Sequence, residues 1–176
     1  LREIRTRELT KACEVLGVAA LRMLGYRDSG MADTPANQHP KAFVNAERIE
    51  SVGRLVQIIR ELRPRVVVTD PPGGMYPHPD HIMCYEVSVE AFQAAGDAQA
   101  FPEAGPPWRP DKLYGVAQID DGVWAKLAPR FIAAGFDIGW IDRRASHPRG
   151  PGPETATVAM DVRPYSEHQR RAPMAH

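Results

Sequence analysis

A helix and a strand in immediate succession constrain this chain more than anything else in it. Between residues 46 and 62, Ile49, Val52, Leu55, Val56, Ile59 and Leu62 recur every three or four positions and fall on one stripe, with charges over the opposite face. Pro64 ends that helix because its ring cannot continue the hydrogen-bond ladder. Val66-Val67-Val68-Thr69 follows, a β-branched run of the kind buried in parallel sheets. With Leu21–Leu24 read as a short strand, strand, helix and strand make one crossover unit. The predicted class is α/β, a parallel sheet with flanking helices.

Helical spacing also predicts a helix over residues 2–16, stopped by Gly17. Residues 25–40 form a polar loop and residues 70–78 a loop rich in glycine and proline. A helix is predicted from about Pro79 to Ala95, a strand at 112–117, a helix at 122–134, a strand at 156–161 and a short helix within 162–172. The chain has 176 residues and no internal repeat, which fits one domain over 1–176 with a single core.

Composition excludes some partners. Lys+Arg and Asp+Glu are each 22, so there is no basic excess for a nucleic-acid backbone or an anionic membrane. No apolar run approaches the ~20 residues of a spanning helix. Cys13 and Cys84 are the only cysteines, and their wide separation points to reduced thiols and a cytoplasmic setting. A small-molecule partner is expected. Oligomeric state is not encoded in any pattern here.

In an open parallel sheet, ligands bind beyond the carboxyl ends of the strands. The loop after Thr69 is such a place, and it carries His78, Asp80 and His81. Two imidazoles and a carboxylate within four residues suit a divalent metal, zinc or ferrous iron. One imidazole would coordinate, and the other would act as general acid or stabilise an oxyanion. Asp80 would accept from an imidazole N–H, and Tyr76 offers a phenol to an oxyanion. The same spacing also occurs at helix starts carrying surface histidines, and both readings stay open on spacing alone. Cys84 follows His81 by three residues and reads as a small buried thiol before it reads as a ligand. A ferrous oxygenase needs a distant second histidine, usually on an all-β barrel, which the helical stripe disfavours.

The segment Gly73-Gly74-Met75-Tyr76-Pro77-His78-Pro79-Asp80-His81 resembles the second signature of LmbE-like (PIG-L) deacetylases. That family includes N-acetylglucosaminyl-phosphatidylinositol deacetylases, the deacetylase of mycothiol synthesis and the mycothiol-conjugate amidase. Leu24 to Met31 resembles its substrate loop, Leu55 to Thr69 its preceding helix and strand, and Glu103 to Tyr114 a stretch of the mycothiol-conjugate branch. The resemblance implies a zinc hydrolase on a Rossmann-like (LmbE-like) fold, cleaving the amide of an N-acetylated amino sugar or a mycothiol-type thiol conjugate. It implies His81 as zinc ligand, His78 as acid or oxyanion-stabilising group with Asp80 as partner, and Tyr76 at the tetrahedral intermediate. Asp28 would bind sugar hydroxyls, Met31 would line the pocket, and Arg27 and His176 would add contacts.

The family's first signature, Ala-His-Pro-Asp-Asp-Glu, supplies its remaining ligands and general base, and this sequence does not contain it. The chain therefore reads as an incomplete domain, cut at both ends, with the first strand-loop unit missing. Alone it is expected to bind zinc poorly and to show little activity, since a catalytic zinc takes three protein ligands. The rival reading is a non-catalytic sugar- or thiol-binding protein with a degenerate metal site. Met75 stands where the family commonly has a glycine, which predicts an altered loop backbone.

Overall fold

The computed structural model describes residues 2–75, 78–117, 121–139 and 156–175. The chain divides into two compact units, Leu1–Met23 with Ala156–His176, and Leu24–Thr155.

In the smaller unit, α1 (Arg2–Leu16) ends at Gly17, which takes φ +71°. It packs against a six-residue helix (Ser166–Arg171) and the single turn Pro173–Ala175, with Ala172 buried. The strands expected at 21–24 and 156–161 are absent, a correction to the sequence reading. Among the described residues neither segment has a neighbouring strand to supply its ladder, and all of 156–161 is exposed.

The larger unit holds the sheet. Helix α2 (Arg48–Leu62) leads through Arg63, at φ +49°, and Pro64 into β1 (Val66–Thr69). Helix α3 (Pro79–Ala94) follows, and β2 (Lys112–Gly115) pairs parallel to β1 with Val66 opposite Lys112 and Thr69 opposite Gly115. An α/β fold with a parallel sheet and flanking helices is therefore borne out. The crossover, however, is β1–α3–β2, not the one predicted through residues 21–24. A further helix, α4 (Asp121–Ala133), matches the pattern read at 122–134. No helix among the described residues is long and apolar enough to cross a membrane.

The core lies where α2 crosses α3. Val52, Val56 and Ile59 meet Met83, Val87, Ala91 and Ala95, with Phe43 closing one end. Met83, Val87 and Ala91 recur every fourth residue, one row down α3. The predicted stripe on α2 is right at its centre and wrong at its ends, since Ile49 is 65% exposed and Leu62 44%.

Arg60 takes the place of an apolar residue in that interface and is only 3% exposed. Its guanidinium donates to the carbonyls of Ala95, Phe101, Gly105, Ala94, Asp97 and Ala100 over 2.7–3.2 Å. These are the last carbonyls of α3 and those of the loop after it. A cation suits the negative end of a helix, and five fixed N–H groups suit a ring of carbonyls. The charged face read on α2 thus contains one inward-facing charge. Trp108 then closes the loop, its amide donating to Ala95 and its indole to Pro64, each at 2.8 Å.

Replacing Arg60 with Met keeps the volume but leaves those carbonyls without donors. The variant is expected to lose on the order of 3–5 kcal/mol in urea unfolding. A loss below about 1 kcal/mol would show that the carbonyls find other partners.

Candidate functional site

The site is assembled by the β1–α3 connection and by the loop from Tyr26 to Asn45. The connection leaves the carboxyl end of β1 and turns at once: Pro71 is buried, and the Gly74 amide donates to its carbonyl at 2.9 Å. Gly73 and Gly74 both adopt positive φ, +76° and +79°. Met75 does not, so this turn makes no demand that Met cannot meet.

Helix α3 starts at Pro79 in its first position, where a missing N–H costs nothing. His78 is the N-cap, and its Nδ1 accepts from the Asp80 amide at 3.1 Å. A neutral His78 ring therefore carries its proton on Nε2. His78 is 8% exposed. Its ring stands edge-on to that of His81, centroids 5.5 Å apart.

His81 turns toward the strand. Its Nδ1 lies 2.9 Å from Oδ1 of Asp70, the first residue beyond β1. A carboxylate at Nδ1 fixes the tautomer with its proton there and leaves the lone pair on Nε2, the arrangement common to metal-ligating histidines.

The Tyr26–Asn45 loop is pinned along its length. Arg27 and Ala42 form a parallel bridge, and Tyr26 stacks on Phe43 at 5.0 Å. Asp28 Oδ1 accepts from the Gly30 amide at 2.8 Å, a local turn that orients its exposed carboxylate. Gly30 has φ +69°, and a Cβ there would sit 2.9 Å from that of Ala36, so the turn requires glycine. Ser29 is fully buried. Its amide and hydroxyl both donate to the Asp80 carboxylate, at 3.0 and 2.5 Å.

Asp28, His78 and Asp80 thereby converge. One ligand atom from each lies within 4.8 Å of the others, the one group of this kind among the described residues. His81 is not part of it and pairs with Asp70 instead. Asp80, expected to orient a histidine, gives its carboxylate to Ser29 and its amide to His78. Arg27 enters through its backbone, and Met31 is 52% exposed with its carbonyl accepting from Thr34. Tyr76 and His176 lie outside the described residues. Sequence reasoning gave no role to Asp70 or Ser29. Asp70 had a usable signal, an acid directly after a buried strand; Ser29 had none.

Cys84 is exposed rather than the buried thiol expected. Desolvation of its sulfur, then the carboxylates of Asp70 and Asp80, push the thiol up to about 11. At pH 8 it is expected to react with iodoacetamide about tenfold more slowly than in the denatured chain, the smaller thiolate fraction being partly offset by a more nucleophilic thiolate. The difference should shrink as pH rises toward the thiol's own titration. Equal rates at pH 8 would contradict this placement.

Residues 1–92 match the family model described as PIG-L, GlcNAc-PI de-N-acetylase. A protein of Rhodococcus erythropolis named 1D-myo-inositol 2-acetamido-2-deoxy-alpha-D-glucopyranoside deacetylase is 39% identical over 176 residues, 98% of this chain and 58% of its own length. A Geodermatophilus obscurus protein of the same name is 48% identical over 178 residues, 98% of this chain and 60% of its own. The chain thus spans under two thirds of these curated relatives. The crystal structure of the conserved protein TT1542 from Thermus thermophilus superposes with a TM-score of 0.51 at 24% identity, over 92% of this chain and 77% of that one. That likeness is one of fold.

Proposed function

Because the chain belongs to the PIG-L family of GlcNAc-PI de-N-acetylases, we propose that it carries the acid and substrate half of a metal-dependent amidase site. The substrate class is an N-acetylated amino sugar, or a thiol conjugate built on one, from which the acyl group is hydrolysed. The observation that carries the reading is the pair His78 and His81, in contact at one helix start and each fixed in tautomer by a different partner.

The donor chemistry fits zinc, with ferrous iron as the chemical alternative. His81 would hold the ion through Nε2, with Asp70 behind it. The Asp28, His78 and Asp80 group is assigned instead to substrate and proton transfer, its side chains oriented by hydrogen bonds. Both oxygens of Asp80 accept from Ser29, Oδ1 of Asp28 accepts from Gly30, and Nδ1 of His78 accepts from Asp80. When bound, the ion supplies Lewis-acid polarisation of the amide carbonyl and a more acidic water.

The chain's own residues do the rest. His78 presents an Nε2–H that can donate to the oxyanion as it develops and pass a proton to the leaving amine. Its burial keeps that donor in a medium where the interaction is stronger than in water. Asp28, pre-oriented by Gly30, accepts from sugar hydroxyls at the open side. Met31 lines that side and Arg27 borders it. A cytoplasmic location accords with the two widely spaced cysteines.

A chimera tests this reading independently of where the chain begins and ends. The Rhodococcus erythropolis deacetylase, carrying residues 24–94 of this chain in place of its matched segment, is expected to release primary amine from its substrate within about tenfold of the parent. His78→Ala in the chimera should lower kcat by about 10²–10⁴. A folded chimera with no activity, or one indifferent to His78→Ala, would contradict the proposal.

A further inference from the structure

Ser29 has more hydrogen bonds than a loop serine needs, and all of them are long-range or cross the loop. Its amide and hydroxyl donate to the two oxygens of Asp80, 51 residues away. The same hydroxyl accepts from the Val44 amide at 3.0 Å, and its carbonyl accepts from the Asn37 side chain. The residue is fully buried, so water replaces none of these partners. On its two sides sit the groups that matter: Asp28 and Gly30 before and after it in the loop, and Asp80, whose amide caps onto His78.

We propose that Ser29 is the positioning residue of this site. It clamps the sugar-side loop onto the first turn of α3 and so sets both the distance from Asp28 to His78 and the tautomer of His78. The physical argument is one of shared geometry. A carboxylate gripped by two donors from one residue has a fixed orientation. That orientation fixes the backbone at Asp80, and the Asp80 amide then fixes Nδ1 of His78 as an acceptor. The Val44 amide, held by the same hydroxyl, closes the loop behind it. Without the hydroxyl, Asp80 keeps one donor and can rotate, and Val44 loses its acceptor.

The test uses the whole chain labelled with ¹⁵N, with Ser29→Ala and Asp80→Asn as variants. In the wild type above neutral pH, long-range ¹⁵N–¹H correlations are expected to show Nδ1 of His78 unprotonated. Both variants are expected to give a mixture of ring tautomers. Hydrogen exchange should quicken at least tenfold at the Val44 amide in Ser29→Ala and at the Ser29 amide in Asp80→Asn. A general loss of stability leaves the tautomer of a folded molecule unchanged, which separates positioning from mere packing. Folded variants with the wild-type tautomer and wild-type exchange overturn the proposal. If Ser29→Ala does not fold, Asp80→Asn decides alone, since it keeps the volume and the cap amide. Resting on the proposed function, N-acetylglucosamine is expected to shift the Asp28 and Gly30 amides of the wild type, and Ser29→Ala to need at least tenfold more sugar. A wild type that ignores the sugar counts against that function, while tautomer and exchange still decide on Ser29.

Discussion

A helix that begins on proline must have its first amides satisfied from outside, and here a histidine ring does it. The bond from the Asp80 amide to Nδ1 of His78 is the point on which the site turns. It commits His78 to one tautomer and puts Asp80 and His81 on the first turn of α3. The carboxyl end of β1 lies directly behind, so Asp70 meets His81 without any further loop. The candidate residues gather at one strand-to-helix junction, at the carboxyl end of the parallel strands, where open α/β sheets generally bind ligands.

That junction needs a rigid base. The core between α2 and α3 is small and built mainly from valine, isoleucine and alanine. Arg60 adds to it a cation enclosed by carbonyls, which ties the far end of α3 to the loop that leads into β2. One end of α3 is thus anchored through a buried guanidinium and the other through the Ser29–Asp80 contact. The Tyr26–Asn45 loop is held by its own turn chemistry, with Gly30 at its tightest point.

Much of this was legible in the sequence, for physical reasons that differ by residue. Helix α2, β1 and the start of α3 declare themselves through periodicity, a β-branched run and a proline at the first turn. His78, Asp80 and His81 stand at the strand-to-helix junction where a parallel sheet presents ligands. The segments 21–24 and 156–161 have strand-like composition, but a strand exists only where a neighbour pairs with it, and composition does not report neighbours. Arg60 reads as surface because charge usually means solvent; only the ring of carbonyls from a loop 34–45 residues away makes it a core residue. Ser29 and Asp70 are silent for the same reason, since their meaning lies in Asp80 and His81, distant in sequence.

In the proposed site His81, backed by Asp70, is the metal ligand, while Asp28, His78 and Asp80 serve substrate and proton transfer. The most direct test is a zinc titration of the ¹⁵N-labelled chain, following the ring nitrogens of both histidines. Weak binding is expected, with Nε2 of His81 shifting and Nδ1 keeping its proton toward Asp70, and with the response lost in His81→Ala. One zinc bound tightly per chain through His78 and the carboxylates of Asp28 and Asp80, with His81 unmoved, would contradict it.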